Sequence, residues 1–470
     1  MAESAGVGPV ASKFLALGSA AVLLFSMATP MATATKPIKP GSICLKQSQI
    51  TKQAGRTFEC KRSGSKLVWR VKPQTTSVAP VAPVTPTAPT FADNYLNRTE
   101  ELERCRLRET KNFSDAGAKG FPIRNSIQLT GNTKIAVIPV DFANAPGDGN
   151  PGEMYSKDIS EIADWSSFFT RSKMTYQPQL VSKTWLRAPR GAEWYVCVYC
   201  GKGATATKQP MDVALQELIT LADPLFDFEN TKFVYFIFPL QAERDFGTSL
   251  YFHRSDVQTN EGPITISVYG EMGGSNKPNG PSNPAYNRVK IWDHLIHEIL
   301  HFQGFVGHGP INGSDLNIMT NQWGGSKTVT SWEAFLAGWY SDNEIKCFEK
   351  TKLLEPIYIT MSAIDLMGHK PISTMIRLSD EEVIVIEKRQ NGKYSNFDQS
   401  RLFPKMNNFT AYYVNVNTEQ YRNDADPDAE SKNFWRMLRE DGKVPITKSV
   451  SFQGVTIEVT AENQVKIFSK

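Results

Sequence analysis

Four of the six histidines in this 470-residue chain lie within fifteen residues, as His294, His297, His301 and His308. The sequence HEILH begins at His297, so Glu298 directly follows the second of these histidines. Residues four apart share one face of a helix, which lets His297 and His301 bind a single Zn²⁺. Glu298 lies beside that face, where a carboxylate can act as general base on a water molecule. The spacing therefore predicts the HExxH site of a zinc hydrolase, with one catalytic Zn²⁺ as cofactor.

A catalytic zinc site needs a third protein ligand and one open position. Gly304 permits the chain to turn out of the helix, and His308 follows His301 by seven residues. The extended metzincin pattern, HExxHxxGxxH, places its last histidine at position 307, where this chain has Gly307. Because a glycine can absorb a shift of one residue in the loop, we expect His308 to be the third ligand.

Other residues stay open as contributors to the site. The alternatives for the third ligand are Asp315, in the loop INGSDLN, and Glu333, which is distant enough to imitate a thermolysin-like glutamate. Met319 follows in a turn, as does the methionine beneath the metal in metzincins. Tyr340 is a candidate donor to the oxyanion of the reaction. His294 is a further alternative for the third ligand, because it precedes the motif by three residues and could share the face of His297. Since it lies upstream, we expect it instead to support the ligands or to pack.

The surrounding sequence predicts a mixed α/β domain. Apolar runs and alternation predict strands at 133–143, 180–186, 231–240 and 263–271. Helical periodicity predicts helices at 157–173, from Pro210 through Leu221, and from near Pro284 to Gly304. We expect the strand at 263–271 to be a sheet edge along which an extended substrate lies. Beyond about residue 350, short strands with one short helix near 430–440 predict a β-sandwich.

The chain divides by composition into five segments. The apolar run at 14–27 has the length of a signal-peptide core, and Ala32-Thr33-Ala34 resembles a processing site. An uncleaved anchor is the alternative, but we expect a secreted, soluble protein. The Pro- and Thr-rich stretch predicts a semi-rigid linker. The segments are a signal peptide (1–34), a small cysteine-paired module (38–72), the linker (73–94), the metallopeptidase domain (95–350) and the β-rich C-terminal domain (351–470).

Six cysteines fit an exported protein, in which disulfides persist. Cys44 and Cys60 share the small module, so we pair them. Cys197 and Cys200 form a CxxC without the second pair that a zinc ribbon needs, which favours a local disulfide. Cys105 and Cys347 then remain as a pair that joins the two ends of the central region. Fifteen connectivities are possible for six cysteines, and the sequence does not choose among them.

The charge balance argues against nucleic acid as a partner. The chain has 52 basic and 48 acidic residues, a net charge of +4, and so lacks a general basic field. Hydrophobic residues make up 40% of the chain, which is enough for a large core. We expect a monomer that acts on protein or peptide substrates. The module at 38–72 is a candidate for contact with a cell surface or cell wall, although a mere spacer is an alternative.

The chain from about residue 100 to 470 resembles the immune-inhibitor-A-type secreted zinc metallopeptidases. The resemblance rests on PIRNSIQLTGNTKIAVIPVDFAN, IHEILHFQGFVGH, SWEAFLAGWYSDNEIKC and a tail with VIVIEKRQ and GVTIEVT. It implies a metzincin-like peptidase fold and a zinc-dependent endopeptidase activity. Members have an acidic residue shortly after the glycine, where this chain reads FVGH, so the third ligand stays open. The family also implies bound Ca²⁺, for which no acidic loop is present in this sequence.

Two other functions fit the same sequence. A catalytically degenerate peptidase fold would act as a secreted binding or adhesion protein, and the displaced third histidine motivates this alternative. A zinc hydrolase that cleaves amide bonds of the cell wall is the second, because HExxH chemistry does not select the substrate. Metal content distinguishes the first from an enzyme, and a substrate screen distinguishes the second.

Overall fold

The computed structural model describes most of the chain after the first forty residues. Several sequence predictions lie outside the described residues: the predicted signal peptide (1–34), most of the predicted linker, Cys197, Cys200, the predicted helix start near Pro284, His308 and Asp315. The described residues are 39, 41–53, 56–71, 92–93, 99–111, 117–195, 211–239, 241–242, 250–272, 291–307, 316–322, 324–366, 368, 371–399, 407–419, 432–441 and 443–469.

The chain forms two compact units, Met1–Thr85 and Pro86–Lys470, and the division falls inside the predicted linker. In the first unit, three antiparallel strands form a sheet in the order β1–β2–β3. These strands are β1 (Ile50–Gln53), β2 (Arg56–Ser63) and β3 (Lys66–Val71). A disulfide joins Cys44 to Cys60, the pair expected from the sequence, and packs with Phe58 and Trp69 in a minimal core.

The second unit is mixed α/β and is built on a six-stranded sheet. Its strands are β4 (Gly131–Asp141), β5 (Met174–Leu180), β6 (Leu186–Arg187), β7 (Thr231–Phe238), β8 (Leu250–Thr259) and β9 (Gly262–Met272). The order is β5–β4–β7–β9–β8, and β6 pairs with β4 where β5 ends. All neighbours are parallel except β8, which runs antiparallel to β9 at the edge.

Helices cover both faces of this sheet. The described helices are α1 (Thr99–Arg104), α2 (Pro151–Met154), α3 (Ser156–Phe169), α4 (Met211–Ala222), α5 (Trp292–Phe302) and α6 (Ser331–Leu336). Side chains alternate along a strand, so Ile135 and Val137 of β4 pack with α3 and α5. Ala136 and Ile138 of the same strand pack with α4 on the opposite face. Burial on both faces explains why β4 and β7 are almost continuously apolar.

Two further sheets follow in the same unit. The first contains β10 (Ile345–Glu349), β12 (Ser373–Arg377), β13 (Glu382–Gln390), β14 (Asn407–Asn415) and β15 (Trp435–Met437), in that order. The second has the order β11–β18–β17–β16, with β11 (Ile357–Thr360), β16 (Ser449–Phe452), β17 (Val455–Ala461) and β18 (Gln464–Ser469). Strand β10 lies before residue 350, so the first sheet begins inside the segment assigned to the peptidase domain.

The two faces of the five-stranded sheet that contains β13 pack in two different hydrophobic cores. Ile384 and Ile386 of β13 pack with the four-stranded sheet, whereas Val383 and Val385 belong to the core that also holds α5. The C-terminal strands are therefore continuous with the core of the histidine-bearing region. The disulfide Cys105–Cys347 strengthens this connection, because it links the residue after α1 to β10 across 242 residues. It is the pairing expected from the sequence.

Most predicted elements are confirmed, but two are wrong. Of the strand predicted at 180–186, only the two end residues are in strands, and residues 181–185 connect β5 to β6, where the Ser182 hydroxyl donates to the Thr184 carbonyl at 2.7 Å. The helix predicted near 430–440 contains β15, because Trp435 pairs with Val414 and packs on Tyr412 at 5.4 Å between ring centroids. Tertiary packing has overridden local helical propensity there. None of the helices that the structure describes has the length and apolar character to cross a membrane.

Candidate metal centre

The helix α5 carries the HExxH motif in a buried position. Ten of its eleven residues are buried, because it packs between the central sheet and the loops that follow it. It ends where the sequence predicts, since Gly304 has φ of +91°. A Cβ at this position would lie 2.1 Å from the Arg124 carbonyl oxygen. Only glycine combines this backbone conformation with so close an approach.

The two histidines of the motif converge on one point. The Nε2 atoms of His297 and His301 lie 3.1 Å apart, and their rings are almost perpendicular, at 86°. Two nitrogens bound to one tetrahedral zinc at about 2.1 Å would be roughly 3.4 Å apart. The His297 Nδ1–H donates to the Ile318 carbonyl at 2.9 Å, which leaves the lone pair on Nε2. Geometry, tautomer and donor type therefore all fit Zn²⁺.

Glu298 is held beside this pair by His294. The Glu298 Oε1 atom lies 3.9 Å from His297 Nε2 and 3.2 Å from His294 Nε2. On its other side, His294 Nδ1 lies 2.8 Å from the Tyr235 hydroxyl. A neutral imidazole accepts from the tyrosine O–H and donates to the carboxylate, so this chain of contacts orients Glu298.

Tyr235 is a supporting residue that the sequence analysis did not identify. It occupies β7 and belongs to the same core cluster as α5, on the face opposite Phe236. The alternation along β7 could have placed residue 235 on that face. His294, which we expected to support the ligands or to pack, contacts the Glu298 carboxylate and the Tyr235 hydroxyl.

The turn at residues 316–320 supports His297 from below. Its Ile318 carbonyl accepts from His297, and the next residue, Met319, is fully buried. The Asn317 side chain accepts from the Met319 N–H at 2.7 Å and donates to Glu333 Oε2 at 2.8 Å. Met319 thus lies in a turn, directly after the residue whose carbonyl accepts from His297.

Glu333, one alternative for the third ligand, caps the helix α6. Its Oε2 atom accepts from the Thr330 backbone N–H and hydroxyl, at 2.8 Å each, in addition to Asn317. The Thr330 hydroxyl in turn accepts from the Glu333 N–H, which completes a capping box. The carboxylate is thereby committed to the turn and the helix start, which is a structural role.

Glu333 also predicts a pH dependence of stability. Burial raises the pKa of Glu333 to about 7, from 4.5. The folded state therefore keeps the proton between pH 4.5 and 7 while the unfolded chain releases it, and stability falls as pH rises through this window. We expect a loss on the order of 3 kcal/mol. Urea unfolding of metal-free protein at pH 5 and pH 7.5 measures it, and Glu333→Gln should lack this component. If the free energy of unfolding changes equally between the two pH values in both proteins, this assignment to Glu333 is contradicted.

The loop after the helix returns to the histidine pair. A Cβ built on Gly307 would lie 2.2 Å from Cε1 and 2.8 Å from Nε2 of His301, so the backbone there touches the imidazole. His308, the expected third ligand, is the next residue in the chain, but it lies outside the described residues, as does Asp315. Within the described part of the chain, no three His, Cys, Asp or Glu side chains are grouped as a metal site requires.

The sequence analysis made two predictions about substrate contacts, one for Tyr340 and one for the strand at 263–271. The Tyr340 ring packs under the Arg171 guanidinium at 4.9 Å, and its carbonyl accepts from Lys173 at 3.0 Å. These contacts connect it to the end of α3 rather than to the histidine pair. The expectation for the strand at 263–271 is wrong: β9 is an interior strand, because it pairs with both β7 and β8. The edge on this side of the sheet is β8, which pairs with β9 in the antiparallel direction.

Strand β13 of the five-stranded sheet is connected by hydrogen bonds to the turn at residues 316–320. Glu387 Oε2 on β13 accepts from the Ser331 N–H at 2.9 Å, and Arg389 donates to the Thr328 hydroxyl. The Thr328 carbonyl accepts from the Ile318 N–H at 2.7 Å. The buried ion pair between Glu387 and Arg389 is therefore connected, through two hydrogen bonds that both involve Thr328, to Ile318, whose carbonyl orients His297.

No protein-family model matches this chain, and no curated protein matches it significantly. The site residues and their geometry are therefore the basis for assigning a function.

Proposed function

We propose that this chain is a secreted zinc-dependent endopeptidase. The observation that carries the proposal is the convergence of His297 and His301 Nε2 at 3.1 Å, with the Glu298 carboxylate beside them. Two imidazoles and a non-ligating carboxylate on one helix are the parts of an HExxH hydrolase. Gly307 against the His301 ring supports His308 as the third ligand, because it brings the chain back to the metal position.

The chain's own residues perform the proton transfers. When bound, Zn²⁺ would polarise the scissile carbonyl and acidify a water molecule. His297, His301 and His308 would hold the ion. Glu298 accepts a proton from the attacking water and delivers it to the leaving nitrogen, while His294 keeps its carboxylate in place.

The finer architecture belongs to the same proposal. We assign the region 95–350 to a metzincin-like peptidase domain, supported by the buried Met319 turn beneath His297. We assign the two C-terminal sheets to a β-sandwich, supported by the apolar cluster that they share. Two disulfides and the signal-like segment 1–34 support export. Substrates would be proteins or peptides, and the protein would act as a monomer.

Metal content tests the proposal. We expect the purified chain to contain about one zinc ion, and to lose casein hydrolysis when a chelator removes it and regain it when Zn²⁺ is restored. His297→Ala should lose the metal, whereas His253→Ala, outside the cluster, should keep it. Elemental analysis measures both. A zinc content near zero in the unmodified protein would instead favour a binding protein with a peptidase-like fold.

A further inference from the structure

The first unit has a charge very different from that of the whole chain. Residues 39–71 contain eight lysines and arginines against one acidic residue, Glu59, which is a net charge of +7. The complete 470-residue chain has only +4, so the remaining residues together are net acidic. The excess of positive over negative charge in this protein is thus concentrated in one small three-stranded module.

One face of the module is covered and the other is open. Residues directly paired across antiparallel strands lie on the same face. On one face, Cys60 pairs with Trp69, and both are buried under the segment that carries Cys44. The opposite face, which we call the basic face, bears four of the cations and the acid. Its residues are Ile43, Ile50, Lys52, Thr57, Glu59, Lys61, Ser63, Lys66, Val68 and Arg70.

Large aliphatic side chains border the basic face. Ile43 pairs with Val68 on the outer side of β3, and Ile50 lies on β1 at the other side of the sheet. Their exposed fractions are 70% and 55%, and Leu45, two residues after Ile43, is 93% exposed. Exposed aliphatic residues beside clustered cations are costly in water unless a partner covers them.

We propose that the basic face binds the surface of a lipid bilayer that contains anionic lipids. The lysines and Arg70 would attract the headgroups, with Glu59 partly neutralised by Lys61 at 3.2 Å. The bordering isoleucines would enter the interface between headgroups and acyl chains, where apolar side chains are stabilised. A soluble polyanion would use the cations but would leave Ile43 and Ile50 in water, so the bilayer is the favoured partner. This inference is independent of the zinc site.

Cosedimentation of the full chain with lipid vesicles tests the inference. We expect binding to phosphatidylcholine vesicles that contain phosphatidylglycerol and little binding to pure phosphatidylcholine, with weakening as salt rises. The combined variant Lys52→Gln, Lys61→Gln, Lys66→Gln and Arg70→Gln should bind more than about tenfold more weakly. Ile43→Ser with Ile50→Ser should also weaken binding, several-fold, at unchanged net charge.

A matched control separates the basic face from net charge. Lys157, Lys183, Lys232 and Lys443 are exposed on the second unit, and changing all four to Gln should leave vesicle binding unchanged. Mass analysis for free thiols would verify that the Cys44–Cys60 disulfide still forms in each variant. Equal losses in the control and basic-face variants would overturn the proposal. The proposal would also be overturned, in favour of a polyanion, by a second result. In that result the Ile43→Ser and Ile50→Ser changes leave vesicle binding unchanged, and soluble polyphosphate abolishes it.

Discussion

Replacement of Glu298 by Gln is expected to abolish most peptidase activity while the protein keeps its zinc. The amide has the shape of the carboxylate but cannot accept a proton from water, so the general-base step is lost. Such steps contribute about 10²–10⁴-fold to rate, and we expect kcat/KM to fall by that factor. Zinc content should not change, because the Glu298 carboxylate lies beside the proposed ligand His297 and is oriented by His294.

Parallel assays of casein cleavage and zinc content measure this effect. Glu333→Gln is the matched control, since it makes the same chemical change at another, partly buried glutamate near the site, one that caps α6. It should retain most of the activity per folded molecule. Cleavage by Glu298→Gln at the unmodified rate would show that this residue is not the base, and the proposed mechanism would be wrong.

The second large effect concerns the third ligand. Replacement of His308 by Ala is expected to weaken zinc binding by more than about 100-fold, because even the loss of an outer-shell partner costs 10–100-fold. Activity should fall with the metal. The backbone at Gly307 touches the His301 ring, and His308 is the next residue in the chain. Competition with a chromophoric chelator measures the affinity.

Two companion variants make this result decisive. Asp315→Asn and Glu333→Gln remove the charge of the two alternative ligands with little change in size. We expect both to retain zinc, and the Glu333 carboxylate already accepts three hydrogen bonds from Thr330 and Asn317. If Asp315→Asn loses zinc while His308→Ala retains it, the assignment of the third ligand passes to Asp315.

Residues close in sequence were sufficient to predict which side chains of the HExxH helix lie together. His297, Glu298 and His301 lie on one helical turn, and the spacing of a regular helix determines which side chains meet. The end of this helix at Gly304 was predictable for the same reason, because the signal is local. The pairing of Cys44 with Cys60 depended on their proximity within one small module.

Contacts between distant segments were not predictable in this way. Tyr235 reaches His294 across 59 residues, and Ile318 orients His297 across 21. The commitment of Glu333 to a helix cap was also hidden, since a carboxylate with ligand-like spacing and a capping carboxylate look alike in sequence. The order of the strands made β8 rather than β9 the edge, because an antiparallel partner was added outside the parallel sheet.

The sequence by itself determined the chemistry available to this protein: two imidazoles and a carboxylate at helical spacing, and a small, strongly basic cysteine-paired module. Only the tertiary structure decided how that chemistry is supported. It connected the C-terminal strands, through Glu387, Arg389 and Thr328, to the turn beneath His297. The physical reason is that helix geometry fixes neighbours within a turn, whereas the partners of a buried polar group are selected by the packing of the whole core.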